Sequence, residues 1–294
     1  MRPFRTEMLA AHGQRLAIHQ WGRVGAPQLV MLHGWMDVAA SFQFVVDALE
    51  REWHVIAPDA RGFGQSSWPA RDSGGGYYNF PEYLADLDAV LDAYAPSGRV
   101  NLVGHSMGAN AVCLYAGVRP ERVRRVVDLE GFGMADRPAS SAPAQLSAWL
   151  AEMREPPTMK AYDALDGVAA RLRKTNPRLS RERAAFLAGH WSRRLADGSY
   201  EVLGDPVHKM RNPRPYRLDE VCAIWAEVTA PVLHVEGRES TTLRRLAGNQ
   251  PEADFRTRFQ AFRNWRQIDI DDAGHMLHHD QPERVAQLIE SFCA

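Results

Sequence analysis

The pentapeptide at residues 104–108, GHSMG, constrains the fold more than any other feature of the chain. A mostly apolar run at 100–103 precedes it, and a run with helical character at 109–116 follows it. In such a unit a strand turns sharply into a helix and lifts the serine out of the sheet, and the two glycines remove side chains that would block the corner. The pattern therefore predicts a strand, a tight turn that presents Ser106, and a helix.

Length and composition are those of an ordinary globular protein: 294 residues, 45% of them hydrophobic, with a formal net charge of −1. A charge so near zero gives no reason to expect nucleic acid or an anionic membrane as a partner. The first residues lack the apolar core of a signal peptide, and no apolar stretch approaches the length of a membrane span. Three dispersed cysteines suit a reducing compartment. We therefore expect a cytoplasmic protein.

Short apolar runs alternate with helical patterns over most of the chain, which predicts a mostly parallel sheet covered by helices on both faces. From about 134 to 228 the alternation stops, and helical patterns recur between proline-rich breaks, which indicates an inserted helical segment. The glycine run at 74–76 predicts a loop. The predicted strands are 8–13, 15–21, 28–32, 53–58, 100–103, 124–130, 231–235 and 265–270, and the predicted helices outside the insert are 41–50, 80–94, 109–116 and 282–292.

Four motifs follow one another along the chain: HGW at 33–35, DARGFGQS at 59–66, GHSMG at 104–108 and DAGH at 272–275. With them, the chain resembles the α/β-hydrolase superfamily, specifically its cap-bearing serine hydrolases. The resemblance implies a mostly parallel, eight-stranded sheet with helices on both faces and an inserted helical cap. It divides the chain into a first core part at 1–133, a cap at 134–228 and a second core part at 229–294.

The resemblance makes Ser106 the nucleophile and His275 the base that removes its proton. His278 and His279 are alternative candidates for the base. Without a catalytic role, they are expected to be polar residues near a pocket rim. His105, beside the serine, is expected to be a packed structural residue.

The same histidines also allow a metal site. His275, His278 and His279 have i, i+3, i+4 spacing, and Asp271 or Asp280 would complete a ligand set. Since the serine turn explains His275 without an ion, we expect neither a metal nor a cofactor.

The sequence offers two candidates for the carboxylate that orients His275, because this chain departs from the usual family pattern. The family places an acid three residues beyond a glycine after the strand at 231–235, but counting from Gly237 reaches Ser240. Glu239, beside it, is one alternative, and Glu130, at the end of an earlier strand, is the preferred one. Asp128 is expected to pair with a nearby arginine.

Two backbone N–H groups are expected to receive the charge that develops on the substrate oxygen, those of Met107 and, by resemblance, Trp35. The motif at 59–66 is expected to fix a loop beneath the site, and His208 is expected at the surface. Aromatic and methionine side chains of the insert could line an apolar pocket, although the cap core is the favoured place for any one of them: Trp149, Tyr162, Phe186, Trp191, Tyr200, Tyr216, Met134 and Met153.

Taken together, these residues predict a serine hydrolase that cleaves carboxylic esters of small to medium, apolar substrates through an acyl-enzyme intermediate. The partner is a small-molecule ester or related acyl compound. The same machinery would suit a lactone, or a carbon–carbon bond in a vinylogous diketone. A small-molecule receptor with the hydrolase fold is the alternative of another class, since a fold does not by itself determine function.

Overall fold

A computed structural model describes residues 1–69 and 78–294, so the glycine run at 74–76, predicted to be a loop, lies outside the described residues. The described strands are β1 Phe4–Ala11, β2 Gln14–Trp21, β3 Gln28–Leu32, β4 His54–Pro58, β5 Val100–His105, β6 Val123–Leu129, β7 Ser192–Arg194, β8 Tyr200–Val202, β9 Val232–Gly237 and β10 Trp265–Ile270.

Eight of these strands form one sheet in the order β1-β2-β4-β3-β5-β6-β9-β10. The pairs β1–β2 and β2–β4 are antiparallel, and the remaining pairs are parallel. The first hairpin turns at His12 and Gly13, whose φ angles of 49° and 74° suit a two-residue turn between twisted strands. The predicted eight-stranded, mostly parallel sheet is confirmed.

Helices cover both faces of this sheet, as predicted. Because successive residues of a strand point to opposite faces, Leu102 joins one buried cluster and Val103 the other. The first cluster includes α2 and α3, and the second includes α1 and α11. The described helices are α1 Gln43–Ala48, α2 Pro81–Tyr94, α3 Met107–Val118, α4 Ala142–Arg154, α5 Leu165–Thr175, α6 Arg181–Trp191, α7 Leu218–Ala226, α8 Thr242–Ala247, α9 Glu252–Arg256, α10 Leu277–Asp280 and α11 Pro282–Cys293.

The segment between β6 and β9 contains α4 to α7 and a small antiparallel hairpin, β7–β8. The helical patterns predicted the helices but missed the hairpin, whose strands have only three residues each. Phe44 packs with helices α5 and α6 in a third cluster, which joins this segment to the rest of the molecule. Four of the aromatic side chains considered for a pocket pack against that cluster instead: Tyr162, Phe186, Trp191 and Tyr200.

The parallel strands fix where the site lies. Since parallel strands end at the same edge of a sheet, the residues that follow β3, β4, β5, β6, β9 and β10 meet along one line, where ligands of open α/β sheets bind. The motifs found in the sequence begin at these strand ends. No helix in the described ranges is both long enough and apolar enough to cross a membrane.

Candidate active site

The turn between β5 and α3 has the geometry that the sequence predicted. Ser106 has φ 51° and ψ −110°, a left-handed conformation that a non-glycine residue adopts only where its surroundings impose it. A Cβ on Gly104 would lie 2.5 Å from the Cα of Ala109, and one on Gly108 would collide with the carbonyl of Leu32. The two glycines are therefore required by close backbone packing on either side of the serine.

Three side chains from three different chain segments meet at this turn. His275 Nε2 lies 3.1 Å from Ser106 Oγ, and His275 Nδ1 lies 3.0 Å from Glu130 Oε2. With the Nδ1 proton donated to the carboxylate, the lone pair of Nε2 is left to accept the serine proton. His275 is partly exposed, whereas the side chain of Glu130 is fully buried. The chain of hydrogen bonds thus runs from the interior out to the serine.

Glu130 is held firmly from the neighbouring strand β9. Its Oε1 accepts a hydrogen bond from the backbone N–H of Gly237 at 2.8 Å, and its Oε2 accepts one from the hydroxyl of Ser240 at 2.6 Å. Three donors, counting His275, thus face one carboxylate, an arrangement that suits an anion. Ser240 is the residue at the position where the family usually has its acid. Sequence reasoning did not assign it a role, although its position was the signal.

Glu239, the alternative acid, points elsewhere. Its carboxylate pairs with Arg178 and is half exposed. Among the described residues Asp128 has no arginine partner, so that prediction is wrong: Asp128 lies 2.9 Å from Nδ1 of His234 and also accepts a hydrogen bond from Gly131 N–H. Burial lowers the pKa of His234, but the charge and hydrogen bond of Asp128, together with the charges of Glu236 and Glu130, outweigh burial and raise the pKa above the ordinary value. The partner lies 106 residues away in the chain, on the adjacent strand.

The peptide between Gly34 and Trp35 is oriented by His33. The ring accepts a hydrogen bond at Nε2 from Ala60 N–H (2.9 Å) and therefore donates its Nδ1 proton to the carbonyl of Gly34 (2.8 Å). In a trans peptide the N–H points away from the carbonyl, so His33 fixes the direction of the Trp35 N–H. The Trp35 side chain is 52% exposed and donates from Nε1 to the carbonyl of His208.

Met107, the other predicted donor, begins α3 directly after Ser106. The first N–H groups of a helix have no partner within the helix and favour negative charge. The N–H of Met107 is in that position.

The motif at 59–66 supports the loops around the site, as predicted. Asp59 is buried and accepts hydrogen bonds from Ala39 N–H, Gln65 N–H and the His19 ring. Burial alone would raise the pKa of Asp59, but these contacts lower it. Arg61 makes a bidentate ion pair with the buried Asp86.

His208 is not a surface residue, which corrects the sequence-based expectation. Its ring is stacked between Phe63, at 3.8 Å, and Tyr78, at 3.5 Å, and its Nε2 lies 3.2 Å from the carbonyl of Arg61. Burial lowers the pKa of His208 to about 3. A neutral ring from the inserted segment is therefore clamped between two rings that precede it by more than 100 residues.

The histidines after the site are placed differently from the prediction as well. His278 and His279 are fully buried rather than at a rim. Asp271 pairs with Arg238, and Asp280 accepts hydrogen bonds from Asn176 and from Gly274 N–H, so neither joins the histidines. The metal set predicted from the i, i+3, i+4 spacing is therefore not assembled.

His105 is packed behind the site, as expected. Its Nε2 lies 2.8 Å from the carbonyl of His275. Burial, with further contributions from His278 and His275, lowers its pKa well below the ordinary value, so the ring is neutral and donates Nε2–H to that carbonyl. This contact holds the backbone of His275 against the end of β5.

Comparison with known proteins agrees with this architecture. A serine hydrolase-like protein of Danio rerio is 25% identical over 92% of this chain and 83% of its own length. A cis-3-alkyl-4-alkyloxetan-2-one decarboxylase of Shewanella oneidensis is 28% identical over 66% of this chain and 61% of its own length. Among solved structures, a thioesterase domain from the curacin biosynthetic pathway superposes with a TM-score of 0.86 at 25% identity, covering 98% of this chain and 99% of that domain.

The profile of the alpha/beta hydrolase fold matches residues 27–282. This range includes the strand ends that present Ser106, Glu130 and His275. The chain belongs to the α/β hydrolase fold family.

Proposed function

We propose that the protein is a serine hydrolase that cleaves carboxylic esters of small to medium, apolar substrates through an acyl-enzyme intermediate. One observation carries the proposal: the continuous hydrogen-bonded chain from Ser106 Oγ through the His275 ring to the buried, doubly anchored Glu130. An isolated serine hydroxyl is a weak nucleophile, and a neighbouring imidazole held in one tautomer is what activates it.

The first half of the reaction forms the acyl-enzyme. Ser106 Oγ attacks the ester carbonyl carbon as His275 Nε2 takes the hydroxyl proton. Glu130 stabilises the imidazolium that results. The carbonyl oxygen becomes an oxyanion, which the N–H groups of Trp35 and Met107 receive. His275 then gives its proton to the departing alkoxide, and the alcohol leaves.

The second half repeats these steps with water. His275 Nε2 accepts a proton from the water molecule as its oxygen attacks the acyl carbon of Ser106. A second oxyanion forms at the same two N–H groups. Its collapse breaks the bond to Ser106 Oγ, which takes back the proton from His275, and the carboxylic acid is released. The cycle needs no cofactor.

Exposed apolar side chains after the site strands and on the inserted segment support an apolar substrate. Large hydrophobic residues seldom stay exposed in groups unless they bind something. Trp35 and Met134 follow strands that end at the site, and each is 52% exposed. Helix α4, in the inserted segment, adds three more exposed apolar side chains at helical spacing: Leu146, Leu150 and Met153.

The test is active-site labelling combined with an ester assay. A fluorophosphonate is expected to modify Ser106, and Ser106→Ala should abolish both the labelling and the hydrolysis of p-nitrophenyl butyrate. Ser140→Ala, which changes an exposed serine of the insert, is the matched control and should retain both. Labelling that persists in Ser106→Ala would contradict the proposal.

A panel of substrates defines the acyl group. Two relatives carry names that point to other acyl compounds, a thioesterase domain and an enzyme of alkyl-substituted oxetan-2-ones, which are four-membered lactones. Matched butyryl esters, thioesters and lactones should therefore be compared by kcat/KM. We expect the ester to be preferred, and a preference of tenfold or more for a lactone would replace the ester assignment.

A further inference from the structure

A second group of polar side chains is buried directly behind Ser106. It consists of Asp37, in the loop after β3, His105, the last residue of β5, and His278, in α10; we call it the Asp37 cluster. The three residues are 3%, 2% and 0% exposed. The hydrolytic steps above do not use any of their side chains.

Several polar atoms of this cluster face one another without a hydrogen bond. Within the described ranges, no hydrogen-bond partner is found for Asp37 Oδ2, His105 Nδ1 or either ring nitrogen of His278. A buried polar group left unsatisfied costs about 1–3 kcal/mol. Four such atoms on three neighbouring residues therefore mark a buried polar space that suits a bound group.

A second buried pair of the same chemistry shows the contrast. Asp128 and His234 are as deeply buried, and their facing atoms lie 2.9 Å apart in an ordinary hydrogen bond. Asp37 Oδ2 and His278 Nε2 lie 3.7 Å apart, which is too long for a hydrogen bond. The facing atoms of the first pair are bonded to each other, although His234 Nε2 also lacks a hydrogen-bond partner among the described residues, whereas the facing atoms of the second pair leave a gap.

The size of the gap suits a metal ion. Ligands at roughly 2.0–2.1 Å from a tetrahedral zinc ion stand about 3.3 Å from one another, close to the separation of the Asp37 and His278 atoms. One ligand atom each from Asp37, His105 and His278 lies within 4.8 Å of the others. Two imidazoles and one carboxylate form a donor set that zinc and its neighbours in the transition series accept.

The surrounding contacts also fit metal ligands. Ligating histidines usually donate their other N–H to a carbonyl, which fixes the tautomer. His105 donates Nε2–H to the carbonyl of His275 at 2.8 Å, so Nδ1 is the ring nitrogen that keeps a lone pair for a metal ion. Asp37 Oδ1 accepts hydrogen bonds from Val38 N–H at 2.8 Å and from Trp191 Nε1–H at 3.0 Å, which leaves Oδ2 for the ion.

We propose that Asp37, His105 and His278 bind a divalent ion of the zinc type. The ion takes no part in the ester chemistry. It ties α10 to the end of β5, and through the His105 ring it supports the backbone of His275. Its role is to hold the segment that carries His275 in register with the serine turn.

The test is metal binding by the full chain, purified from metal-depleted medium and supplied with Zn²⁺ or Co²⁺. We expect one ion per chain after gel filtration, a higher Tm with Zn²⁺, and the visible absorption of tetrahedral or five-coordinate Co²⁺. The measurement needs no substrate, so it is independent of whether the hydrolase proposal holds. No retained ion and no Co²⁺ spectrum in the wild-type protein would overturn the assignment.

Two variants locate the site. His278→Gln and Asp37→Asn should each weaken binding at least about 100-fold, because losing a ligand costs more than the roughly 10–100-fold loss seen on removing an outer partner. His279→Gln is the matched control: its ring is equally buried and adjacent, and it should still bind the ion. Circular dichroism checks folding, and if His278→Gln does not fold, Asp37→Asn decides. Equal binding by wild type and Asp37→Asn would overturn the proposal.

Discussion

The sheet with its helices and the segment inserted between β6 and β9 differ in how deeply their residues are buried. Strands β3 to β6 are buried almost throughout, and α3 buries seven of its residues. In the insert, α4 has 13 residues and buries none of them. It is held by polar contacts, among them those of Gln145 with the carbonyls of Asn212 and Arg214.

This difference teaches how the two regions divide their tasks. Ser106 and Glu130 sit in strained, left-handed backbone conformations that only a closely packed region can maintain. Leu146, Leu150 and Met153 of α4 are exposed, and we expect them to contact substrates of varying shape. We therefore expect the sheet to provide the catalytic residues and the insert to determine which substrates are accepted. Four experiments, from the largest expected effect to the smallest, test this division.

The largest effect is expected for the buried acid. Glu130→Gln should lower kcat for p-nitrophenyl butyrate about 10⁴-fold, as loss of the orienting carboxylate does in other serine hydrolases of this type, because the wrong tautomer of His275 is favoured. Steady-state kinetics measures it. Glu239→Gln, which changes an exposed carboxylate paired with Arg178, should stay within about twofold. The reverse pattern would move the acid to Glu239.

A smaller but still large effect is expected on stability in the sheet. Leu102→Ala removes a fully buried side chain of β5 and should lower the free energy of unfolding by about 2–5 kcal/mol. Urea denaturation measures it. Leu150→Ala makes the same chemical change on α4, where the residue is 52% exposed, and should lower the free energy of unfolding by less than about 0.5 kcal/mol. Equal losses at the two positions would break the contrast between the regions.

The junction of the two regions should respond to pH. Burial lowers the pKa of His208 to about 3, against an ordinary value of 6.5. Above pH 6.5 neither state binds the proton. Below it the unfolded state does and the folded state does not, so stability falls by about 1.4 kcal/mol per pH unit towards pH 3. His208→Gln should remove this one-proton dependence between pH 6 and 4, as followed by urea denaturation. Unchanged pH dependence would mean that the ring is not held neutral.

The smallest effect is expected on specificity. Leu150→Gln keeps the fold but places a polar group on the exposed face of α4. We expect kcat for p-nitrophenyl acetate to stay within about twofold, while the preference for octanoate over acetate falls several-fold, since each buried CH₂ contributes about 0.8 kcal/mol. Ratios of kcat/KM measure it. An undiminished preference would place the acyl chain elsewhere.

Much of the fold was predictable from the sequence because its signals are local. Apolar runs predicted each strand of the large sheet, and the glycines around Ser106 predicted the turn, since close backbone packing there excludes any Cβ. The preference for Glu130 over Glu239 came from its place at a strand end, followed closely by Gly131 and Gly133. The structure brings Glu130 to His275, although its catalytic role stays a prediction.

Other features escaped prediction because their causes are not local. Asp128 finds His234 on a neighbouring strand 106 residues away, and no spacing in the sequence indicates it. His278 and His279 look polar and exposed in the sequence, but the short helix α10 turns both into the interior. The hairpin β7–β8 has strands too short to show a periodicity. Tertiary packing determines all three.

The order of the proposed groups along the chain has a practical consequence. Everything except the imidazole of His275 is encoded before residue 134: the nucleophile, its acid and both amide donors. The insert can therefore be exchanged as a single cassette without dividing this set. Whatever replaces it must return the chain to β9, because Gly237 and Ser240 at and after the end of that strand hold the acid, and it must also supply the contacts that the insert makes with Phe44 and Asp37. Exchange of one contiguous gene segment should therefore change the substrate range while leaving the proposed nucleophile, acid and amide donors in place.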